Sequence, residues 1–224
     1  MTADDYFGDW IKVIDRNELM KVMKWIQTLD NSNLCPSKSN IFRAFQLCSL
    51  KDCHVIMLSQ DPYPQKGVAT GVLFGNSKET PENLLSPSLQ VIKECAINYE
   101  IPHGPIEFDN TLESWAKQGI LMINTALTCE VNKIGSHVAR WYPFMSKLIQ
   151  NISSYDNGLC FVLFGNQAGM FRKDILGHHK IINSYHPAYY ARRREIMPYE
   201  VLTEVNKFLK AQYNEHIDFY TKYA

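Results

Sequence analysis

The alternation of short apolar runs with amphipathic segments predicts an α/β fold, a parallel sheet carrying helices on both faces. Three observations point there. Four runs, HVIMLS (54–59), ILMIN (120–124), LCFVLF (159–164) and HKIIN (179–183), are rich in apolar residues and too short for helices. The segments between them carry apolar residues at helical spacing. No Pro/Gly/Ser-rich linker or internal repeat divides the chain, so residues 1–224 are read as one domain.

In chain order, residues 10–29 place Ile11, Ile14, Leu19, Val22, Met23, Ile26 and Leu29 at the spacing of an amphipathic helix. Residues 31–39 are turn-rich, and 41–47 read as a short helix. The strand at 54–59 runs into QDPYPQKG, which continues neither regular structure. A brief apolar run follows at 72–74. Residues 88–99 read as a helix with Pro87 placed to start it, and 111–118 as another that Gly119 stops. After the strand at 120–124, residues 137–152 are helical. The strand at 159–164 is followed by Gly165 and a helix over 167–176. The last strand, 179–183, enters SYHPAYYARRRE, and a final helix covers 199–212. The tail, 213–224, reads as a last strand or a packed aromatic end.

Composition narrows the function classes. With 46% hydrophobic and 12% aromatic residues and a formal net charge of +0, the chain collapses and is not disordered. Lys+Arg and Asp+Glu number 23 each, so any nucleic-acid binding relies on a local patch. No apolar run spans a bilayer, and the acidic, aromatic N-terminus fits neither a secretory signal nor a basic transit peptide. The expectation is a cytoplasmic protein, with nucleus and viral compartment left open. Six scattered cysteines, none in a CxxC pair, read as buried free thiols, not a disulfide framework or a zinc site.

In a sheet of this kind ligands bind beyond the carboxyl ends of the strands. Three strands end in unusual polar sequences, QDPY, NTALT and YHP. As neighbours they would bring Asp61, Asn124 and His186 to one cleft. Asp61, alone, is better explained by an Asx-turn or a helix cap, as most Asp residues beside Pro are. In a dry cleft it is a carboxylate for general-base work or for facing a cationic transition state. His186, a structural histidine on the bland reading, is also a hydrogen-bond donor for a developing oxyanion. Asn124, otherwise a turn residue, offers the paired donor and acceptor that read a nucleobase edge. Phe74, otherwise core, is a stacking surface for a flat ring. In HPAYYARRRE two tyrosines precede Arg192, Arg193 and Arg194. That is a solvated basic turn, or aromatics beside guanidinium groups on nucleic acid.

These residues together resemble the uracil-DNA glycosylases of the family 1 type. The resemblance covers about 37–212 in the family's order and spacing. It is carried by QDPYPQKGVATGVLF (60–74), similar to the water-activating loop. SPSL (86–89) is like the proline- and serine-rich loop, LESWAKQGILMINTALT (112–128) matches a further stretch, and YHPAYYA (185–191) corresponds to the HPSPLS minor-groove loop. GSH (135–137) and VLFGNQA (162–168) match as well. The resemblance implies a central four-stranded parallel sheet flanked by helices, and hydrolysis of the N-glycosidic bond of deoxyuridine in DNA after base flipping. It assigns Asp61 to the sugar cation and the attacking water, and His186, neutral, to uracil O2 with help from the Gln60 backbone N–H. Asn124 takes O4 and N3–H, Phe74 stacks on the ring, and Tyr63 fills the space beside C5 so that thymine's methyl clashes. Ser88, His137, Tyr190 and Arg192 to Arg194 fall to DNA, Tyr190 at the wedge position usually held by leucine.

The resemblance implies no metal or organic cofactor, a monomer, uracil-containing DNA as partner, and proteinaceous uracil-DNA glycosylase inhibitors as further partners. Departures are Pro64 for the histidine after DPY, a proline that some viral members share, and Ala188 and Ala191 for two hydroxyl-bearing residues of the minor-groove loop. Two other readings stand beside it: a non-catalytic DNA-binding or replication accessory protein on the same fold, and an enzyme of widened base choice, which Tyr63 and Asn124 disfavour.

Overall fold

The computed structural model describes residues 2–99, 106–156 and 158–222. Four parallel strands form the central sheet: β1 (Val55–Ser59), β2 (Ile120–Asn124), β3 (Cys160–Phe164) and β4 (Lys180–Ser184), in the order β2-β1-β3-β4. β1 pairs in register with β2 from Val55↔Ile120 to Ser59↔Asn124, and with β3 from Val55↔Cys160. Every residue of β1, β2 and β3 is buried, whereas β4, at the sheet edge, is half-buried.

The strands read as continuous apolar runs because both faces are covered. Side chains alternate across the sheet. Ile56, Leu58, Leu121, Ile123, Phe161 and Leu163 pack into one core with α1 (Arg16–Thr28) and the chain before it. Val55, Met57, Ile120, Met122, Cys160 and Val162 pack into the other, with α2 (Pro87–Tyr99) and the C-terminal helix. α3 (Val138–Tyr155) adds Trp141, Phe144 and Leu148 to the first core. α4 (Pro187–Arg193) and α5 (Glu200–Tyr213) close the second. All six cysteines are buried and free. No helix among the described residues is long and apolar enough to cross a membrane.

Several elements differ from the sequence expectation. The first long helix begins at Arg16, not near Trp10, because the Asp15 carboxylate accepts from the backbone N–H of Asn17 and Glu18 and caps it. Ile11 belongs to a preceding 3₁₀ turn, Gly8–Lys12. The brief apolar run Val72–Phe74 is buried loop. The helix expected over 111–118 shortens to Glu113–Ala116, and that over 167–176 to Gly165–Gly169 followed by a 3₁₀ turn. The basic turn is helical: α4 occupies it, with Pro187 at its first position. The tail does pair, Thr221–Lys222 running antiparallel to Ile106–Glu107, and Phe219 is buried against Trp115. The tail's last two residues, 223 and 224, lie outside the described residues.

The chain leaves β1 for β2 on one side and later places β3 on the other, so β1 is where the winding reverses. Open sheets of this type hold their crevice beyond the strand carboxyl ends at that point.

Candidate active site

Beyond the ends of the strands lies a cleft of about 710 Å³ lined by Gln60, Asp61, Tyr63, Phe74, Ser88, Asn124, His186 and Arg192, among others. The residues read from three separate strand ends thus share one wall-to-wall site, with Phe164 of β3 between them.

Asp61 lies two residues beyond the end of β1. Its Oδ2 accepts from the backbone N–H of Gly135 and from Gln60 Nε2 at 3.1 Å, while Oδ1 is buried with no partner among the described residues. Burial raises its pKa, and the two donors oppose that rise. The carboxylate is therefore held from one side and free to accept on the other. Gln60 is fixed in turn through its carbonyl, which accepts from Ala126 N–H at 2.9 Å and Thr125 Oγ1 at 3.2 Å.

Asn124 ends β2 and is 8% exposed. Its Oδ1 is also buried without a partner. A buried acceptor left unpaired costs about 1–3 kcal/mol, so Oδ1 is open to a donor that enters the cleft.

Phe74 stands edge-on to Phe164 (5.3 Å, 81°) and to His186 (5.5 Å, 85°). Its backbone is left-handed, φ 60°, a strained state for a bulky residue that the surroundings must impose. Leu73 N–H donates to Met122 O at 3.1 Å, and Tyr63 Oη donates to Phe74 O at 2.9 Å. The same bond anchors the Tyr63 ring in the cleft.

His186 is the N-cap of α4. Its Nδ1 accepts from Ala188 N–H at 3.0 Å, which places the proton of the neutral ring on Nε2. Burial, seconded by the nearby Arg192 guanidinium, pushes its pKa down to about 4. The imidazole is neutral at pH 7 and presents an N–H donor. Gly165, at φ 82°, makes room for it: a Cβ there would stand 3.2 Å from His186 Cβ.

The residues expected at the DNA divide. Ser88 lies in the first turn of α2 on the cleft, where the helix N-terminus favours anions. His137 is buried and does not line the cleft, bonded through Nδ1 to Thr128 Oγ1 at 2.9 Å and edge-on to Trp25. Arg192 lines the cleft, but Arg193 pairs with Glu195 at 2.7 Å and lies over the Tyr189 ring, and Arg194 is the left-handed cap of α4. Tyr190 corrects the sequence expectation. It is 9% exposed and packed into the second core, because the helical turn that carries it aims its ring inward. It lines a neighbouring groove, not the cleft, and cannot protrude as a wedge without leaving the core. Gly135 and Gly165 escaped a role at the sequence level, although both sat in the matched motifs GSH and VLFGNQA. Among the described residues no group of three or more His, Cys, Asp or Glu is placed to hold a metal.

The description "Uracil DNA glycosylase superfamily" matches residues 45–210. A Campylobacter jejuni uracil-DNA glycosylase is 35% identical over 215 residues, covering 90% of this chain and 88% of its own. Uracil-DNA glycosylase 1 of Listeria innocua is 32% identical over 208 residues, covering 90% and 89%. In fold, the chain is similar to the crystal structure of mimivirus uracil-DNA glycosylase, with a TM-score of 0.73 over 98% of this chain and 93% of that one at 22% identity. A Y322L variant of that viral protein was solved in complex with UGI. Since the family match takes in all four strands and the cleft they carry, and the two bacterial relatives extend the likeness over nine-tenths of the sequence, the chain belongs to the uracil-DNA glycosylase superfamily.

Proposed function

We propose that the chain, acting as one domain and a monomer, excises uracil from DNA by hydrolysing its N-glycosidic bond, leaving an abasic site for base-excision repair. The observation that carries this is the pair of buried, unpartnered acceptors, Asp61 Oδ1 and Asn124 Oδ1, on one cleft beside a neutral histidine whose N–H is free to donate.

Each has a use in the reaction. The target bond is out of reach within a duplex, so the nucleotide enters the cleft flipped out. Asn124 Oδ1 accepts from uracil N3–H and its amide donates to O4; cytosine presents the opposite pattern. Phe74 offers its ring to the base. As the C1′–N1 bond breaks, its electron pair departs with uracil and positive charge develops on the sugar. His186 Nε2–H stabilises the negative charge at uracil O2, with the Gln60 backbone N–H as a further donor. Asp61 faces the sugar cation and accepts a hydrogen bond from the water whose oxygen bonds to C1′. As that bond forms the water's O–H breaks, its proton passing to the carboxylate and from there to solvent, while the uracil anion takes a proton from solvent. The chemistry uses no cofactor. Affinity comes from local charge: Arg192 at the cleft and the α2 N-terminus at Ser88. Proteinaceous inhibitors of such enzymes, and a cytoplasmic setting, belong to the same reading.

Two expected results test the parts. Tyr63→Ala opens the space beside C5, so thymine release appears, while Tyr63→Phe loses only the bond to Phe74 O and stays specific for uracil. Product analysis on dT and dU oligonucleotides checks this; a Tyr63→Ala protein active on uracil and silent on thymine would remove the steric argument. Arg192→Gln weakens binding to all DNA sequences and flattens the dependence of log K on log salt by about one unit. Arg193→Gln, already neutralised by Glu195, changes the slope less. Equal slopes for both variants would contradict the division of the arginine run. For the reading as a whole, the experiment is release of free uracil from an oligonucleotide with a single deoxyuridine.

A further inference from the structure

A second groove, of about 720 Å³, begins where the cleft ends: Gly165 and Asn166 line both. Its exposed apolar surface comes from Met170 and Tyr185, 54% and 62% exposed. Tyr185 is held in place. Its ring stacks on Tyr189 at 4.5 Å and 15°, and Tyr189 stands edge-on to the buried Tyr190 at 5.3 Å. The Arg193 guanidinium lies over Tyr189 at 5.2 Å. A flat, exposed ring is thus already oriented, so a partner that stacks on it pays little ordering entropy.

Charge decides what that partner is. Among the described residues Glu200 is the one charged residue lining the groove, and no cation lines it. A phosphate is disfavoured there, whereas Arg192 awaits one on the cleft side. An uncharged aromatic ring suits the groove, and every nucleobase has one. A DNA strand that holds deoxyuridine in the cleft and leaves across Gly165 and Asn166 brings its next base to Tyr185.

We propose that this groove is a subsite for an unpaired nucleobase flanking the target deoxyuridine, stacked on Tyr185 with Met170 beside it. The subsite rests on the uracil-excision reading and adds to it a preference for DNA whose flanking base is free to unstack. It also gives the loop a DNA-contacting aromatic in place of the buried Tyr190.

The test is kcat/KM for uracil release from short single-stranded substrates. The nucleotide flanking deoxyuridine, on each side in turn, carries either a normal base or a base-free abasic analogue. The quantity read is the ratio between the two, in which any effect of a variant on the neighbouring His186 cancels. On one side the wild-type ratio is expected to be roughly 5- to 100-fold, and to fall toward one in Tyr185→Ala. Met170→Glu, at an exposed position on the same groove, is expected to lower it as well and serves should Tyr185→Ala fold poorly. A wild-type ratio of one on both sides, or a ratio that survives both substitutions, overturns the subsite while leaving uracil excision standing. Release from none of the substrates overturns the excision reading and the subsite with it.

Discussion

Asp61→Asn is expected to keep the fold and DNA binding and to lower uracil release by about 10²–10⁴-fold, the scale of one positioned charged group. The side chain keeps its size, and an amide oxygen still accepts from Gly135 N–H. What goes is the negative charge facing the sugar cation and the second acceptor for the water, since Oδ1 is the atom that no group among the described residues satisfies. Single-turnover rates on a deoxyuridine oligonucleotide, with binding followed separately by anisotropy, resolve chemistry from affinity. Turnover within a few-fold of wild type would remove Asp61 from its role.

His186→Leu comes next, with an expected loss of about 10²–10³-fold in kcat, the cost of one oxyanion donor. A stability loss of about 1 kcal/mol accompanies it, because Nδ1 also caps α4; thermal denaturation separates the two. The pH behaviour follows from the same ring. Burial and Arg192 push its pKa down to about 4, from about 6.5 in an unfolded chain. The donor state is therefore populated throughout the neutral range, and kcat/KM should show no inflection near 6.5 that vanishes in the variant. The unfolded ring takes up a proton that the folded ring refuses. Its contribution to stability is thus full above 6.5 and is lost as pH falls toward 4. Nitrogen NMR of labelled histidine at pH 7 should find His186 neutral with its proton on Nε2; a doubly protonated ring would contradict the mechanism.

How far the sequence could be read depended on what sets each feature. β1, β2 and β3 were legible because strands covered on both faces carry unbroken apolar runs, and their polar endings marked the crevice. Asp61, Asn124 and His186 could be grouped from that alone. Val72–Phe74 was not legible as loop, since its apolar residues are buried over the strand ends by a left-handed turn at Phe74 that composition does not announce. α4 has seven residues, too few for a periodic pattern to emerge, and successive helical residues point about 100° apart. Which of Tyr189 and Tyr190 faced inward therefore depended on packing. The same packing split the arginine run, through a partner, Glu195, that follows it in sequence but whose pairing needs the turn after α4.

The account's central claim is that this cleft breaks a glycosidic bond, and release of free base measures it most directly. Wild-type protein is incubated with an oligonucleotide holding one deoxyuridine, and with matched thymidine and deoxycytidine oligonucleotides. Free uracil and an abasic site should form in equal amounts from the first, with neither base released from the others. DNA that is bound but yields no uracil would contradict the account and return the chain to the reading of a non-catalytic DNA-binding protein on the same fold.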